Sequence, residues 1–147
     1  MGRKLSELIP DAKEKVELLL EKCKAANIPV LVIETGRTQE VQEAYYAQGR
    51  ETIESVNDKR RAAGLWEISE KENRRVVTQT LKSKHIDGKA ADIFLLDDKG
   101  ALWWSAPKER WLAFGALVES CGLTWGGRWG ARDANSLGWD CPHVEIA

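Results

Sequence analysis

The sequence has few of the features that mark membrane proteins, nucleic-acid binders or fibrous chains. Its longest apolar runs, such as Ile28–Ile33 and Ile93–Leu96, are far shorter than the roughly 20 residues of a membrane-spanning helix. Positive charge is not in excess, since 22 Lys and Arg stand against 23 Asp and Glu. That balance argues against a general nucleic-acid binder. With only 4 Pro and 12 Gly, a disordered or fibrous chain is excluded as well. We expect a monomeric globular protein with no nucleic-acid partner and no stable membrane association.

Cysteine is also scarce. Cys23, Cys121 and Cys141 are widely spaced, and an odd number without a CxxC pair predicts neither a disulfide framework nor a zinc knuckle. The N-terminal residues lack the apolar core and small-residue cleavage site of a secretory signal. We therefore expect reduced thiols and synthesis in a cytoplasm without a signal peptide.

The apolar periodicity predicts a single α+β domain over residues 1–147, with a small, mainly antiparallel sheet and helices packed around it. No linker or internal repeat indicates a second domain. The predicted helices cover residues 11–26, about ten residues from Thr38, residues 51–63, a short turn at 69–72, and a segment from Pro107 to Gly122. The predicted strands cover residues 30–33, 76–78, 90–96, 101–104 and 143–146.

One carboxylate stands in an apolar strand. Asp92 lies within Ala90–Leu96, and burying it costs several kcal/mol unless it is paired or bound to a metal, by the usual magnitude for buried charges. A salt bridge to a buried cation, an exposed position on an edge strand and a metal ligand are all compatible with this placement.

The chain has 2 histidines; His85 lies shortly before one predicted strand, and His143 begins another. A turn-prone Asp-Gly pair lies between His85 and Asp92, and a turn there can fold His85 back toward the strand that carries Asp92. Two imidazoles and one carboxylate form a common catalytic zinc set, with the fourth position left to water. A lone histidine is more often a surface or core residue, so His85 and His143 point to metal only together with Asp92.

Two acidic residues flank His143. Asp140 precedes it in a turn restricted by Pro142, where a carboxylate can transfer protons near an open metal position. Glu145 lies two residues beyond His143 and shares its face of a strand. It is either an exposed residue or a partner that orients a ligand.

At these motifs the sequence resembles the zinc D-alanyl-D-alanine peptidase family, and most closely its phage and bacterial L-alanyl-D-glutamate endopeptidases. Residues 83–92 match the Ser-x-His-x-x-Gly-x-Ala-x-Asp motif, and residues 140–145 match Asp-x-Pro-His-x-Glu. Residues 35–38 are similar to the family's Gly-x-Arg turn, residues 42–50 to its Gln-x-x-x-Tyr-x-x-Gly-Arg stretch, and residues 125–127 to its Trp-Gly-Gly loop. Arg128, Val144 and the long loop 130–139 depart from the common pattern.

The resemblance implies one zinc ion per chain at a cleft of the sheet, bound by His85, Asp92 and His143. It also implies that Asp140 is the general base and that Arg37 holds the scissile carbonyl and its developing oxyanion. A surface charge in a turn is the alternative for Arg37. Ser83 is expected at the cleft edge, and Trp125 and Trp139 are expected to bind substrate, although filling the core is the alternative for the tryptophans.

The function that the resemblance implies is hydrolysis of peptidoglycan stem peptides, at the L-Ala–D-Glu bond, by a phage-type cell-wall lysis enzyme. Such an enzyme reaches the wall or periplasm after release from the cytoplasm, here without a separate wall-binding domain. A D-Ala-D-Ala carboxypeptidase or dipeptidase of the same family is the nearer alternative. A non-catalytic zinc-containing binding module is the farther one, and Asp140 argues against it. A cysteine hydrolase using Cys141 is the weakest alternative.

Overall fold

The protein combines five α-helices with a four-stranded sheet, in a computed structural model that describes residues 4–37, 39–78, 81 and 87–146. This confirms the predicted α+β class. Short 3-10 turns lie at Leu5–Glu7 and Gly126–Arg128. The helices are α1 Pro10–Ala25, α2 Gln39–Ala47, α3 Ile53–Ala62, α4 Glu70–Asn73 and α5 Lys108–Ser120; the strands are β1 Val30–Glu34, β2 Ala90–Leu95, β3 Thr124–Trp125 and β4 His143–Glu145.

The helices begin where the sequence offers helix-starting residues. Pro10 occupies the first turn of α1, where its missing N–H costs nothing. The Thr52 side chain accepts a hydrogen bond from the Ser55 amide at the start of α3, and Ser69 accepts one from the Glu72 amide at the start of α4. The predicted short turn at 69–72 is thereby confirmed, whereas the expected cap Thr38 lies outside the described residues.

The strands are all antiparallel and lie in the order β1-β2-β4-β3. Because directly opposed residues of antiparallel strands point to the same face, the register assigns each side chain to a side of the sheet. Ala91 is opposite Val144, which is opposite Trp125, and this row faces the core. The neighbouring row, Asp92 opposite His143, faces the other way. The sheet thus separates an apolar face from a polar one.

Helices α1 and α5 cover the apolar face. Leu19 and Cys23 of α1 and Phe114 and Val118 of α5 are fully buried against Ile93 of the central strand. Edge-to-face aromatic contacts join Trp111 to Phe94 and to Phe114. Each large apolar side chain buried here stabilises the fold by roughly 1.5–3 kcal/mol. This packing fixes the back of the sheet and so the positions of the polar residues on its front.

Three expectations about strands need correction. Residues 76–78 form no strand, and Val76 and Val77 are exposed because no neighbouring strand pairs with them. The predicted return strand 101–104 is reduced to one bridge between Leu96 and Leu102. The two-residue strand β3 was not predicted, since it is too short to show a period of two. Among the described helices, none is long and apolar enough to cross a membrane.

Candidate metal centre

Three polar residues from three strands form a row across the polar face. Glu34 of β1 is opposite Asp92 of β2, and Asp92 is opposite His143 of β4. The register of β1 shifts between Val32 and Glu34, so the strand carries an extra residue there. Without this bulge, Ile33 would be opposite Asp92 and an apolar side chain would stand beside the centre.

His143 is held by carboxylates at both ring nitrogens. Its Nε2 lies 2.8 Å from Glu145 Oε1, and its Nδ1 lies 3.3 Å from Asp92 Oδ1 and 3.9 Å from Asp140 Oδ2. Burial opposes a positive charge on this ring, but Asp92, Glu145 and Asp140 outweigh it and hold the pKa of His143 above its ordinary value. The surroundings therefore favour a cation at this position.

This arrangement fits a zinc ion in its spacing and its chemistry. Two ligand atoms that each lie roughly 2.0–2.1 Å from a tetrahedral ion are about 3.3 Å apart. His143 Nδ1 and Asp92 Oδ1 have this separation of 3.3 Å. Glu145 occupies Nε2, which directs the other ring nitrogen toward Asp92. The third predicted ligand, His85, lies outside the described residues, among which no group of three ligands forms a metal site.

Asp140 stands at the edge of the centre, in the turn that leads into β4. The His143 amide donates to the Asp140 carbonyl at 3.1 Å, and the Ile93 amide donates to the Pro142 carbonyl at 2.9 Å. These bonds tie the turn to itself and to β2. The Asp140 side chain is about a third exposed, more than that of Asp92 or His143. A carboxylate placed so can reach both the centre and a bound substrate.

Cys141 is unsuited to act as a nucleophile. Burial, assisted by the charge of Asp140, raises the pKa of its thiol, so the reactive thiolate is disfavoured. Its Sγ donates to the Gly138 carbonyl at 3.7 Å. The cysteine hydrolase alternative has no support in this geometry.

The Trp-Gly-Gly loop supports the centre from behind. Trp125 is only 1% exposed, so it offers no surface to a substrate, contrary to the expectation that it lines a groove. Its indole Nε1 donates instead to the Cys141 carbonyl at 2.7 Å, inside the turn that carries Asp140. A Cβ on Gly127 would lie 2.1 Å from the Trp125 ring, and one on Gly126 would lie 2.3 Å from the Asp140 carbonyl oxygen. Both glycines are needed for this close packing.

Two other tryptophans lie near His143, with Trp129 against the imidazole and Trp139 against Trp129. The Trp129 ring lies 4.9 Å from the imidazole and 5.3 Å from the Trp139 ring, between centroids. The Trp139 amide donates to the Trp129 carbonyl at 2.9 Å, which holds the two residues together. Trp139 is 73% exposed, so it presents an aromatic surface next to the centre. The long loop 130–139 therefore places the exposed Trp139 ring next to Trp129, close to the centre.

Arg37 lies just beyond β1 and is fixed by two hydrogen bonds and an ion-pair contact. Its Nε and Nη2 each lie 2.7 Å from Glu34 Oε1, and its Nη1 donates to Gln42 Oε1 at 2.7 Å. Its guanidinium also lies over the Tyr45 ring, 4.9 Å from the centroid. Arg37 is thus a partly buried cation beside the row of Glu34 and Asp92, and not a surface charge.

The structure thus brings together Asp92, His143, Asp140 and Glu145, and it joins Arg37 to the same row through Glu34. Ser83, like His85, lies outside the described residues. Sequence reasoning did not single out Glu34, and it named Gln42 only as the first residue of the stretch 42–50 that resembles the family. A carboxylate inside an apolar strand drew attention to Asp92, and a similar signal was present at Glu34, which ends the apolar strand β1.

An imidazole in contact with several carboxylates, with a fixed arginine beside them, supplies groups that a metal-dependent hydrolase can use. Residues 77–146 match the profile of a peptidase family described as D-alanyl-D-alanine carboxypeptidase. This match covers the part of the chain that carries the centre, and it confirms the resemblance to the D-alanyl-D-alanine peptidase family noted in the sequence.

Individual proteins are similar over nearly the whole chain. An L-alanyl-D-glutamate peptidase of Listeria phage A118 is 26% identical over 142 residues, which are 97% of this chain and 39% of that protein. The chain thus spans about two fifths of the length of this curated relative.

Two solved structures share the fold. The Serratia marcescens L-Ala D-Glu endopeptidase ChiX has a TM-score of 0.56 at 21% identity, with 97% of this chain and 83% of that chain covered. The vancomycin resistance D,D-pentapeptidase VanY, solved as a mutant in complex with Zn(II), has a TM-score of 0.53 at 16% identity, with 95% and 72% covered.

Proposed function

We propose that the protein is a zinc peptidase that hydrolyses the L-Ala–D-Glu bond of peptidoglycan stem peptides, as a phage-type cell-wall lysis enzyme. The observation that carries the proposal is the contact of His143 with Asp92, Asp140 and Glu145 inside a matched peptidase motif. The phage relative named for this bond supports the choice of substrate. A single catalytic domain, a monomeric state and action at the wall after release are parts of the proposal that stay predictions.

Asp92 and His143, with His85, would hold the zinc. When bound, zinc polarises the scissile carbonyl and lowers the pKa of water. Glu145 lies at Nε2 of His143 and would accept the proton of that nitrogen, so that Nδ1 would be left to hold the zinc. These residues bind and orient, and they take no proton from the substrate.

Asp140 and Arg37 would perform the steps at the substrate. Asp140 takes a proton from the attacking water at its carboxylate and returns it to the leaving amine. Arg37 donates to the carbonyl oxygen as negative charge develops there. Ser83 is expected at the edge of the cleft. Trp139 supplies an exposed aromatic surface for the substrate, with Trp129 behind it.

Product analysis tests the proposal. Zinc-loaded protein is incubated with purified peptidoglycan and with a synthetic stem peptide that ends in D-Ala-D-Ala, and fragments are identified by mass spectrometry. We expect a new amino terminus on D-Glu and no free D-Ala, with Asp140→Asn as the inactive control. Release of D-Ala would instead establish the carboxypeptidase alternative. Zinc binding without hydrolysis of either substrate would establish the binding module.

A further inference from the structure

Glu34 is a buried carboxylate that the proposed mechanism does not use. Its side chain is 11% exposed, and that of Arg37 is 12% exposed. One oxygen, Oε1, accepts a hydrogen bond from Nε of Arg37 at 2.7 Å and lies 2.7 Å from Nη2 in an ion-pair contact. Stability alone explains such a pair poorly, because desolvation of two charges offsets most of their attraction.

The contacts of Arg37 with Glu34 and Gln42 determine which N–H donors of its guanidinium remain for a ligand. An arginine side chain has five N–H donors in a fixed plane. Glu34 accepts from Nε and is in ion-pair contact with Nη2, and Gln42 accepts from Nη1. Among the described contacts, at least one N–H donor is left on each terminal nitrogen. Together these two could hold one carbonyl oxygen, and Glu34 sets the direction in which they point.

The backbone specifies the position of Glu34. The bulge between Val32 and Glu34 places Glu34 opposite Asp92. In the regular register its side chain would face the opposite side of the sheet, because successive residues alternate. A three-residue separation from Arg37 then allows the carboxylate to reach back to the guanidinium.

We infer that Glu34 is a positioning residue that acts through Arg37, holding the guanidinium so that its two remaining donors face the scissile carbonyl. The inference rests on the proposed function, in which Arg37 contacts the substrate. The negative charge of Glu34 is required, because an arginine held by an ion is more narrowly oriented than one held by an amide. A side chain left loose by even about 1 Å loses much of the benefit of prior orientation.

The test is a double-mutant cycle on turnover of a defined stem peptide by zinc-loaded protein. Glu34→Gln, Arg37→Ala and the double variant are compared with the parent protein. We expect Glu34→Gln to lower kcat by about ten- to a hundredfold, approaching the loss of one oxyanion donor. The KM and the zinc content should stay nearly unchanged. In the Arg37→Ala background, Glu34→Gln should lower kcat no further, because its effect passes through Arg37.

Two further variants make the result specific. Glu34→Asp keeps the charge but shortens the reach, so kcat should fall between those of the parent and Glu34→Gln even if Glu34→Gln folds poorly. Glu51→Gln makes the same chemical change in an exposed carboxylate that pairs with Lys59 at 2.6 Å, and kcat should equal that of the parent.

The outcomes separate the inference from the proposed function. If Arg37→Ala lowers kcat but Glu34→Gln and Glu34→Asp do not, the inference is wrong and the proposed function stands. The inference is also wrong if the losses from Glu34→Gln and Arg37→Ala multiply, or if zinc is lost in step with kcat. If Arg37→Ala itself keeps full turnover, the role of Arg37 in the proposed function fails, and the inference fails with it.

Discussion

Removing the Glu145 carboxylate should weaken zinc binding without removing the capacity for catalysis. Glu145 Oε1 lies 2.8 Å from His143 Nε2, and its side chain is 13% exposed. Strand β4 is paired on both sides, with Glu145 opposite Ala90 of β2 and Thr124 of β3. The backbone should therefore stay in place when the side chain is changed.

The expected size of the effect follows from the role of that contact. Partners that orient a metal-binding histidine typically contribute 10–100-fold in metal affinity, which is about 1.4–2.7 kcal/mol. Glu145→Gln retains an oxygen that can accept from Nε2 but loses the negative charge, so we expect a loss near tenfold. Glu145→Ala loses both the acceptor and the charge, so we expect a loss nearer a hundredfold.

Competition with a chromogenic zinc chelator at constant pH measures this affinity. Glu17→Gln is the matched control, because it alters an exposed carboxylate that pairs with Lys13 at 3.2 Å on α1. At saturating zinc, the Glu145 variants should regain most of their turnover, since Glu145 does not contact the substrate in the proposed mechanism. If Glu145→Ala binds zinc within about twofold of the parent protein, the reasoning about the orientation of His143 is wrong.

Four further substitutions probe the remaining roles. Asp140→Asn should keep zinc and lose about 10²- to 10⁴-fold in turnover; loss of zinc in step with activity would make Asp140 a ligand instead. Arg37→Lys should lower turnover by roughly one to two orders of magnitude at unchanged zinc content and Tm, because lysine lacks the planar fork of donors, and near-normal turnover would contradict this. Trp139→Ala should raise KM with little effect on Tm, since the side chain is 73% exposed; an unchanged KM would remove it from the substrate site. Phe114→Ala should lower the free energy of unfolding in urea by about 3–5 kcal/mol, because the ring is fully buried, and a loss below about 1 kcal/mol would be inconsistent with this core.

Much of the fold could be predicted because the long elements carry strong local signals. The apolar spacing in α1 and α5 and the apolar run of β2, interrupted only by Asp92, specify their type without reference to the rest of the chain. The wrong strand predictions lie where pairing with another strand, and not local sequence, determines whether a strand forms. Residues 76–78 have the composition of a strand, but nothing in a local pattern shows whether a neighbouring strand is present. Residues 124–125 lack such a pattern and yet pair with β4.

The site could be predicted where a charged side chain stands in an otherwise apolar segment. Asp92 in an apolar strand indicated a special role before any pairing was known, and its contact with His143 agrees with that role. Trp125 shows the limit of this reasoning, because a tryptophan suits a core and a groove equally well. Only packing against Gly115 and Gly127 decides that it belongs to the core.

The register of three strands explains how residues more than a hundred positions apart form one centre. Glu34, Asp92 and His143 stand opposite one another in β1, β2 and β4, so their side chains point to one face in a single row. The bulge in β1 brings Glu34 into that row, and Glu34 in turn reaches Arg37. A register shift of one residue between β1 and β2, or between β2 and β4, would point some of these polar side chains into the core. Packing of Ala91, Val144 and Trp125 in the core selects this register. The same register therefore also brings the polar residues together on the other face.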